Sequence, residues 1–308
     1  MADKRYDVVI IGGGPAGLTA GLYASRARLS SLLIEKMAAG GWVVNAGLVE
    51  NYPGFPQGIG GLELADLMSE QAKKYGLEVL LAEVTGLELE EGQKIVKTSE
   101  GDFAAKAVII TAGSDRVKLN VPGEEEFTGR GVAYCAICDA ALFRDKPVAV
   151  AGGGNAAISE ALELAKFASK VVVIHRRQQL RAARILQERA FAEPKIEFLW
   201  DTVVEEIEGD NVVKSLRLRN VVSGEKSVLD ISGIFVALGF IPNTAYLKGV
   251  LPLDEAGAII TNEKMETGVP GIFAAGDIRS SSIRQVVAAA GDGAVAAIYA
   301  EKFIVGQH

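Results

Sequence analysis

The sequence predicts an α/β protein with two parallel-sheet domains, and three observations predict it. The chain has 308 residues, which at about 150 residues per domain gives two domains. Two apolar runs, residues 7–11 and 148–151, each lead into a glycine-rich turn and then a helical pattern. A shift of 140 residues superposes one on the other without a gap: Gly12 falls on Gly152, Gly14 on Gly154, Gly17 on Ala157 and Glu35 on His175. Each unit should nucleate its own parallel sheet.

The elements follow in order. Residues 7–11 read as a buried strand, 12–17 as the turn, 15 to about 28 as a helix and 31–35 as the next strand. Short apolar runs bounded by glycine suit strands covered on both faces. Residues 40–61, rich in Gly, Pro and Asn, read as a loop; a helix spans about 62–75, and alternating strands run to 112. The second unit repeats the order with strand 148–151, turn 152–157, a helix to about 168 and strand 171–174. Further β segments follow, of which 234–239 leads into Pro242-Asn243. Residues 271–277 read as a buried strand ending at Asp277, and an Ala-rich helix starts at about Ser282.

Composition narrows the function. Hydrophobic residues make up 49% and charged residues 23%, which suits a chain that buries a sizeable core. Against 32 Lys and Arg stand 39 Asp and Glu, a formal charge of −7; a nucleic-acid groove would be basic instead. The 35 glycines cluster, marking places where backbone approaches something closely. With only His175 and His308 in the chain, a Ser-His-Asp triad or a His-rich metal site is nearly excluded. The opening apolar run, Val8 to Ile11, ends at Gly12 and is too short for a signal peptide or a bilayer span. The expected location is the cytoplasm.

The first turn, Gly12-Gly13-Gly14-Pro15-Ala16-Gly17, follows a strand, opens a helix and precedes the acidic Glu35. Those three conditions turn a weak G-x-G-x-x-G match into a dinucleotide fingerprint. Its glycines allow a tight turn, close backbone approach to a pyrophosphate and helix-on-strand packing, and the helix N-terminus supplies free N–H groups. Glu35 stands where a carboxylate accepts from ribose hydroxyls. The second unit has G-x-G-x-x-A, and its ribose slot carries His175, Arg176 and Arg177, with Arg181 one turn on. A carboxylate there would repel a 2′-phosphate, whereas guanidinium groups bind it with charge-assisted hydrogen bonds. This points to NADP(H) at the second site. Two nucleotides in one chain suggest electron transfer between them, so the other is expected to be a flavin. Asp277 stands where it would accept from a ribityl hydroxyl, and the helix after it would direct its positive end at the flavin ring.

Cys135-Ala136-Ile137-Cys138-Asp139 precedes the second nucleotide strand. A zinc half-site would need further ligands that the chain hardly offers, and two core cysteines would need neither the close spacing nor an adjacent carboxylate. The redox reading is favoured over both: a Cys-x-x-Cys pair in a cytoplasmic protein closes a small, exchangeable disulfide. Asp139 is then the candidate to protonate the leaving thiolate.

These pieces together resemble the low-molecular-weight thioredoxin reductase family. The resemblance rests on Gly12 to Gly17, Gly40-Gly41, Glu50-Asn51-Tyr52-Pro53-Gly54, Gly129-Arg130-Gly131-Val132, Cys135-x-x-Cys138-Asp139, Gly152 to Asn155, His175-Arg176-Arg177-x-x-x-Arg181, Pro242-Asn243-Thr244, and Gly276-Asp277 with Arg284-Gln285. It implies two Rossmann-like, three-layer ββα domains, the NADPH domain inserted into the FAD domain, in a homodimer that passes hydride from NADPH to FAD, to the cysteine pair and on to thioredoxin. It implies that Cys138 faces the flavin, that Cys135 attacks the partner's disulfide and that Asp139 handles the proton. For FAD the positions taken together are Gly12, Gly14, Pro15, Ala16, Gly17, Glu35, Lys36, Gly41, Trp42, Asn51, Gly113, Gly276, Asp277, Arg284, Gln285 and Val286. For NADPH they are Gly152, Gly154, Asn155, Ala156, His175, Arg176, Arg177 and Arg181. Three positions depart from the family pattern: Trp42 replaces a polar residue such as Gln, Thr111-Ala112-Gly113 stands for Ala-Thr-Gly, and Ala140 for Gly.

The expected domains are 1–118 and 244–308 for FAD and 119–243 for NADPH. One cysteine pair must serve both flavin and a protein disulfide, so the NADPH domain is expected to rotate, with the crossovers near Leu119 and Asn243 as hinges. Three rivals stay open: a flavin-dependent dithiol oxidase, a reductase of a peroxiredoxin- or glutaredoxin-like partner, and a non-enzymatic redox sensor.

Overall fold

The computed structural model describes residues 4–90 and 92–306, so residues 1–3, 91, 307 and His308 lie outside the described residues. The chain forms two compact units, Met1–Asp115 with Ile241–His308, and Arg116–Phe240. The crossings fall three residues before the expected 118 and 243.

In chain order, β1 (Lys4–Ile11), α1 (Pro15–Arg26) and β2 (Ser31–Glu35) make the first nucleotide-type unit. Pro15 opens α1 at N1, where its missing N–H costs nothing. The helix stops two residues short of the expected Arg28, whose φ of 64° is left-handed. Then come α2 (Gly61–Lys74), β3 (Glu78–Leu81), β4 (Val84–Glu90), β5 (Gln93–Thr98), β6 (Gly101–Ile110) and β7 (Ser114–Arg116). The loop expected over 40–61 contains one short helical turn, Gly41–Asn45. The inserted unit holds β8 (Val132–Ala133), α3 (Ala136–Asp139), β9 (Pro147–Ala151), α4 (Asn155–Ala165), β10 (Lys170–Ile174), α5 (Arg184–Ala192), β11 (Ile196–Leu199), β12 (Thr202–Gly209), β13 (Val213–Asn220), β14 (Lys226–Asp230) and β15 (Gly233–Val236). After β16 (Phe240–Pro242) the chain returns to the first unit for β17 (Ile272–Ala274) and α6 (Val286–Val305).

Two expectations at the C-terminal end need correction. The strand ends at Ala274, and Asp277 sits beyond it on a separate helical turn, Gly276–Ile278. The final helix starts at Val286 and not Ser282, because Arg284 is left-handed (φ 56°) and Gln285 extended.

The sheet of the first unit runs β3-β2-β1-β6-β5-β4. Its central strand β6 has two partners on one edge: β5 antiparallel along Gly101 to Ala105, and β17 parallel along Val108 to Ile110. Period-two alternation divides the core, with Val8, Ile10 and Leu33 packed with α1 and α6, and Val9, Ile11, Leu32 and Ile34 facing Leu87 and Val96 of β4 and β5. Where α1 and α6 pack, a Cβ on Gly293 would stand 2.1 Å from the Ala16 carbonyl oxygen, so only glycine permits this approach.

The inserted unit has three layers. A parallel sheet, β11-β10-β9-β15-β8, lies between helices and an antiparallel sheet, β12-β13-β14. Val148, Val150, Val171 and Val173 face Ile158, Ala161 and Leu164 of α4, while Ala149, Ala151, Val172 and Ile174 face Val204, Ile207, Leu216 and Leu218.

Candidate active site

The first cradle is built by steric exclusion. A Cβ on Gly17 would lie 1.9 Å from the Gly12 carbonyl oxygen, and one on Gly12 2.6 Å from that of Thr111. Thr111 Oγ1 donates to the carbonyls of Ile11 and Gly12, at 2.9 and 2.8 Å, so the expected departure at 111–113 supplies a hydroxyl that fastens the turn. Gly14 meets nothing within 4 Å. It caps α1 without a side-chain hydrogen bond, leaving first-turn N–H groups open toward an anion. Glu35 accepts from Gly13 N at 2.6 Å and from Met37 N at 3.0 Å, which holds the carboxylate beside the turn. Lys36 pairs with Glu83 on the exposed surface.

Around this cradle, Gly41 approaches it, its Cβ position 3.2 Å from Gly14 Cα. Trp42, 41% exposed, donates from Nε1 to the Ser114 carbonyl at 3.0 Å. Asn51 Nδ2 donates to Gln285 Oε1 at 3.1 Å, next to Val286 at the start of α6. Asp277 Oδ1 accepts from Ser282 Oγ at 2.9 Å. The turn carrying Gly276 and Asp277 is clamped by Asp292, whose Oδ2 accepts from Gly276 N at 3.1 Å and from Arg279 Nε and Nη2 at 2.9 and 2.7 Å. Arg279 and Asp292 were not legible as site residues; they form a mostly buried ion pair.

The second cradle repeats the design with a different floor. A Cβ on Gly152 would stand 2.5 Å from the Ala237 carbonyl oxygen, while Gly154, capping α4, meets nothing within 4 Å. A Cβ on Gly153 would strike the His175 ring at 2.4 Å. His175 is buried, 6% exposed, and its Nε2 is 3.1 Å from the Gln179 carbonyl oxygen. Burial, and then the nearby Arg181, Arg177 and Arg176, push its pKa down, so it is a neutral support beneath the turn. Asn155 Oδ1 accepts from Ala183 N at 2.7 Å, and Arg181 N donates to the Gly153 carbonyl at 2.7 Å, bringing the arginine segment alongside the cradle and the exposed Ala156. The side chains of Arg176, Arg177 and Arg181 are exposed, and among the described residues no carboxylate forms an ion pair with them.

Cys135 and Cys138 form a disulfide with 5.4 Å between their Cα atoms. Cys135 caps the single-turn α3, and its Sγ accepts from Cys138 N at 3.2 Å. That N–H favours a thiolate at Cys135 once the bond opens. Cys138 is exposed, as is Ile137 at 71%. Asp139 is largely buried, and burial raises its pKa against the opposing pull of Arg116. A carboxyl whose pKa is raised keeps its proton to higher pH than a free one, which suits a proton donor.

The family model for pyridine nucleotide-disulphide oxidoreductases matches residues 6–293. Similar proteins include thioredoxin reductases of Peptoclostridium acidaminophilum, 46% identical over 98% of each chain, and of Bacillus subtilis, 46% identical over 98% of this chain and 96% of that one. This chain belongs to the low-molecular-weight thioredoxin reductase family. Among solved structures, the thioredoxin reductase of Streptococcus pyogenes superposes with a TM-score of 0.94 at 45% identity, covering 98% of this chain and 99% of the other. The two Rossmann-like domains expected from the glycine repeat agree with that likeness. No helix among the described residues is long and apolar enough to cross a membrane.

One group in the inserted unit escaped sequence reasoning. Glu160 on α4 has a buried Oε2 with no hydrogen-bond partner, and burial lifts its pKa to about 7. The available signal was its spacing: it stands three residues after Ala157 and four before Leu164, both fully buried, so a carboxylate interrupts an apolar stripe.

Proposed function

We propose that this chain is an NADPH-dependent thioredoxin-disulfide reductase working through FAD and the Cys135–Cys138 pair. The observation that carries the reading is a formed disulfide with exposed Cys138 in a chain that also holds two open dinucleotide cradles, one of them flanked by unpaired arginines. Both cofactors fit: at Gly14 and at Gly154 the backbone lies open where a Cβ would otherwise meet a pyrophosphate. Glu35, Asn51, Asp277 and the 284–286 segment would hold FAD, and Asn155, Arg176, Arg177 and Arg181 would hold NADPH. When bound, FAD supplies two-electron transfer between the nicotinamide hydride and the disulfide.

The protein's own residues do the rest. Arg176, Arg177 and Arg181 select the 2′-phosphate. The Cys138 N–H stabilises the Cys135 thiolate, which attacks the thioredoxin disulfide; Cys138 then closes on Cys135 and frees the second thioredoxin thiolate. Asp139 gives a proton to the enzyme thiolate that leaves when the Cys135–Cys138 bond opens. The net change is thioredoxin disulfide, NADPH and a proton going to thioredoxin dithiol and NADP+. We assign residues 1–118 and 244–308 to the FAD domain and 119–243 to the NADPH domain. The inserted domain turns against the other at its two crossings during turnover, and the enzyme works as a cytoplasmic homodimer.

The test is spectroscopic. The purified protein is expected to be yellow, to bleach faster with NADPH than with NADH under argon, and to turn over with thioredoxin; Cys135→Ser and Cys138→Ser should still bleach but not turn over. A colourless protein that never bleaches, or turnover that survives loss of either cysteine, would sink the reading.

A further inference from the structure

Opening the disulfide consumes one proton beyond the hydride, and Asp139 alone must deliver it to a thiolate and recover it at every turnover. We infer that Glu160 is a second proton-holding group behind the redox pair, a positioning residue that shares one proton with Asp139 across Arg116. The inference rests on the proposed reductase reading and deepens it.

The arrangement lies wholly within the inserted unit. Helix α4, which carries Glu160, packs on α3, which carries Cys138 and Asp139. Glu160 Oε2 is buried with no hydrogen-bond partner, and a buried polar atom left unsatisfied in a folded protein calls for a reason. The Arg116 charge acts on both carboxyls, and the Asp139 charge acts on Glu160. Among the described residues, no charged group from the other elements packed on α4, namely α5, strands β9 to β11 and the turn at 140–143, acts on it. Arg116 is itself held in place: its Nη1 donates to the Tyr134 carbonyl, and its guanidinium lies 5.1 Å from the centre of the Tyr134 ring. The Tyr134 hydroxyl in turn donates to Glu124 Oε1 at 3.0 Å. Tyr134 directly precedes Cys135, so this chain of contacts ties the cation to the cysteine segment.

One cation thus serves two half-buried carboxyls. Both cannot be charged at neutral pH without an uncompensated buried charge, and the second carboxyl keeps its proton. Glu160, lifted to about 7 chiefly by burial, is the better holder. In the step, the S–S bond breaks on arrival of two electrons, the one proton held at Glu160 passes by way of the Asp139 carboxylate to the released thiolate sulfur, and water reprotonates Glu160. Charge and protons balance with the one solvent proton that the overall reaction requires.

The holoenzyme and its Glu160→Gln and Glu160→Asp variants decide this. A neutral Gln carries no proton to pass on, so the descending limb of the kcat profile with NADPH and thioredoxin that follows loss of the Glu160 proton should disappear, and kcat on the acid side of that limb should fall by roughly tenfold or more. Glu160→Asp should restore the wild-type limb. A merely structural glutamate would change the melting temperature and leave the limb in place, and that result overturns the inference. Should the Gln variant fail to fold, infrared difference spectra of wild-type enzyme labelled with 13C-glutamate still decide. A protonated glutamate carbonyl band that titrates near pH 7 supports the inference, and its absence overturns it. Failure of the wild-type enzyme to reduce thioredoxin would count against the reductase reading, while the infrared band would still report on Glu160.

Discussion

Gly154→Ala separates what the second glycine turn does for the fold from what it does for a ligand. The backbone there is ordinary, φ −93° and ψ −177°, and a Cβ would find nothing within 4 Å. Alanine therefore fits the protein itself. The loss of unfolded-state freedom favours alanine by about 0.4–1 kcal/mol, and its poorer capping of a helix offsets a few tenths of that. Stability should change by less than about 1 kcal/mol, or only a few degrees in melting temperature. The added methyl instead occupies the space through which backbone N–H groups approach a pyrophosphate. Loss of one or two hydrogen bonds to a charged group, about 1.5–3 kcal/mol each, corresponds to roughly a 10- to 150-fold rise in KM for NADPH for a single bond. The assay is steady-state kinetics across NADPH concentration beside a thermal melt. Gly153→Ala is the control, since its methyl would enter the His175 ring at 2.4 Å and should cost about 1–3 kcal/mol of stability. An unchanged KM in a stable Gly154→Ala protein would refute the reasoning that this turn cradles the nucleotide.

Three further outcomes are expected. Replacing Arg176 and Arg177 together by alanine should cut the NADPH-over-NADH preference by on the order of 100-fold or more, since each charge-assisted bond to a phosphate contributes about 1.5–3 kcal/mol; kcat/KM for the two cofactors measures it, and the melting temperature should hold. Asp292→Asn leaves the buried Arg279 without its carboxylate and should destabilise the protein by about 3–5 kcal/mol, with weaker FAD retention read by gel filtration and absorbance. Glu160, raised from 4.5 to about 7, contributes stability that is complete below pH 4.5 and is lost as pH rises through about 7. Urea midpoints should therefore fall over that window in the wild type, by about 3 kcal/mol in stability, and fall less in Glu160→Gln.

Much of this architecture was legible before any coordinates. Strands covered on both faces announce themselves as short apolar runs, and glycines at turns where a Cβ meets a carbonyl admit no other residue, so the repeat at Gly12 and Gly152 carried both nucleotide units. The charge contrast between Glu35 and the Arg176-Arg177 pair is legible because it lies in residues adjacent in sequence. What depended on tertiary context was not. The sequence places the start of α6 four residues early because nothing in Ser282 or Ile283 signals that Arg284 takes a left-handed conformation. His175 reads as a ligand contact until its ring is seen beneath Gly153. Glu160 shows in the sequence only as a carboxylate within an apolar stripe, without the packing of α3 on its helix, and Asp292 reads as a solvated helix position until Arg279 folds back onto it.

The order of the strands in the first unit has a consequence for biosynthesis. Strand β17 adds to the middle of a sheet whose other members precede it by more than 160 residues, and α6 closes over the same sheet last. A ribosome therefore releases the whole inserted unit before the flanking one can be finished. The nascent N-terminal half must wait with the end of β6 and one face of α1 uncovered, a natural target for chaperones. Nonsense mutations or proteolytic trimming within the last helix would spare the inserted unit and leave the flanking one permanently incomplete.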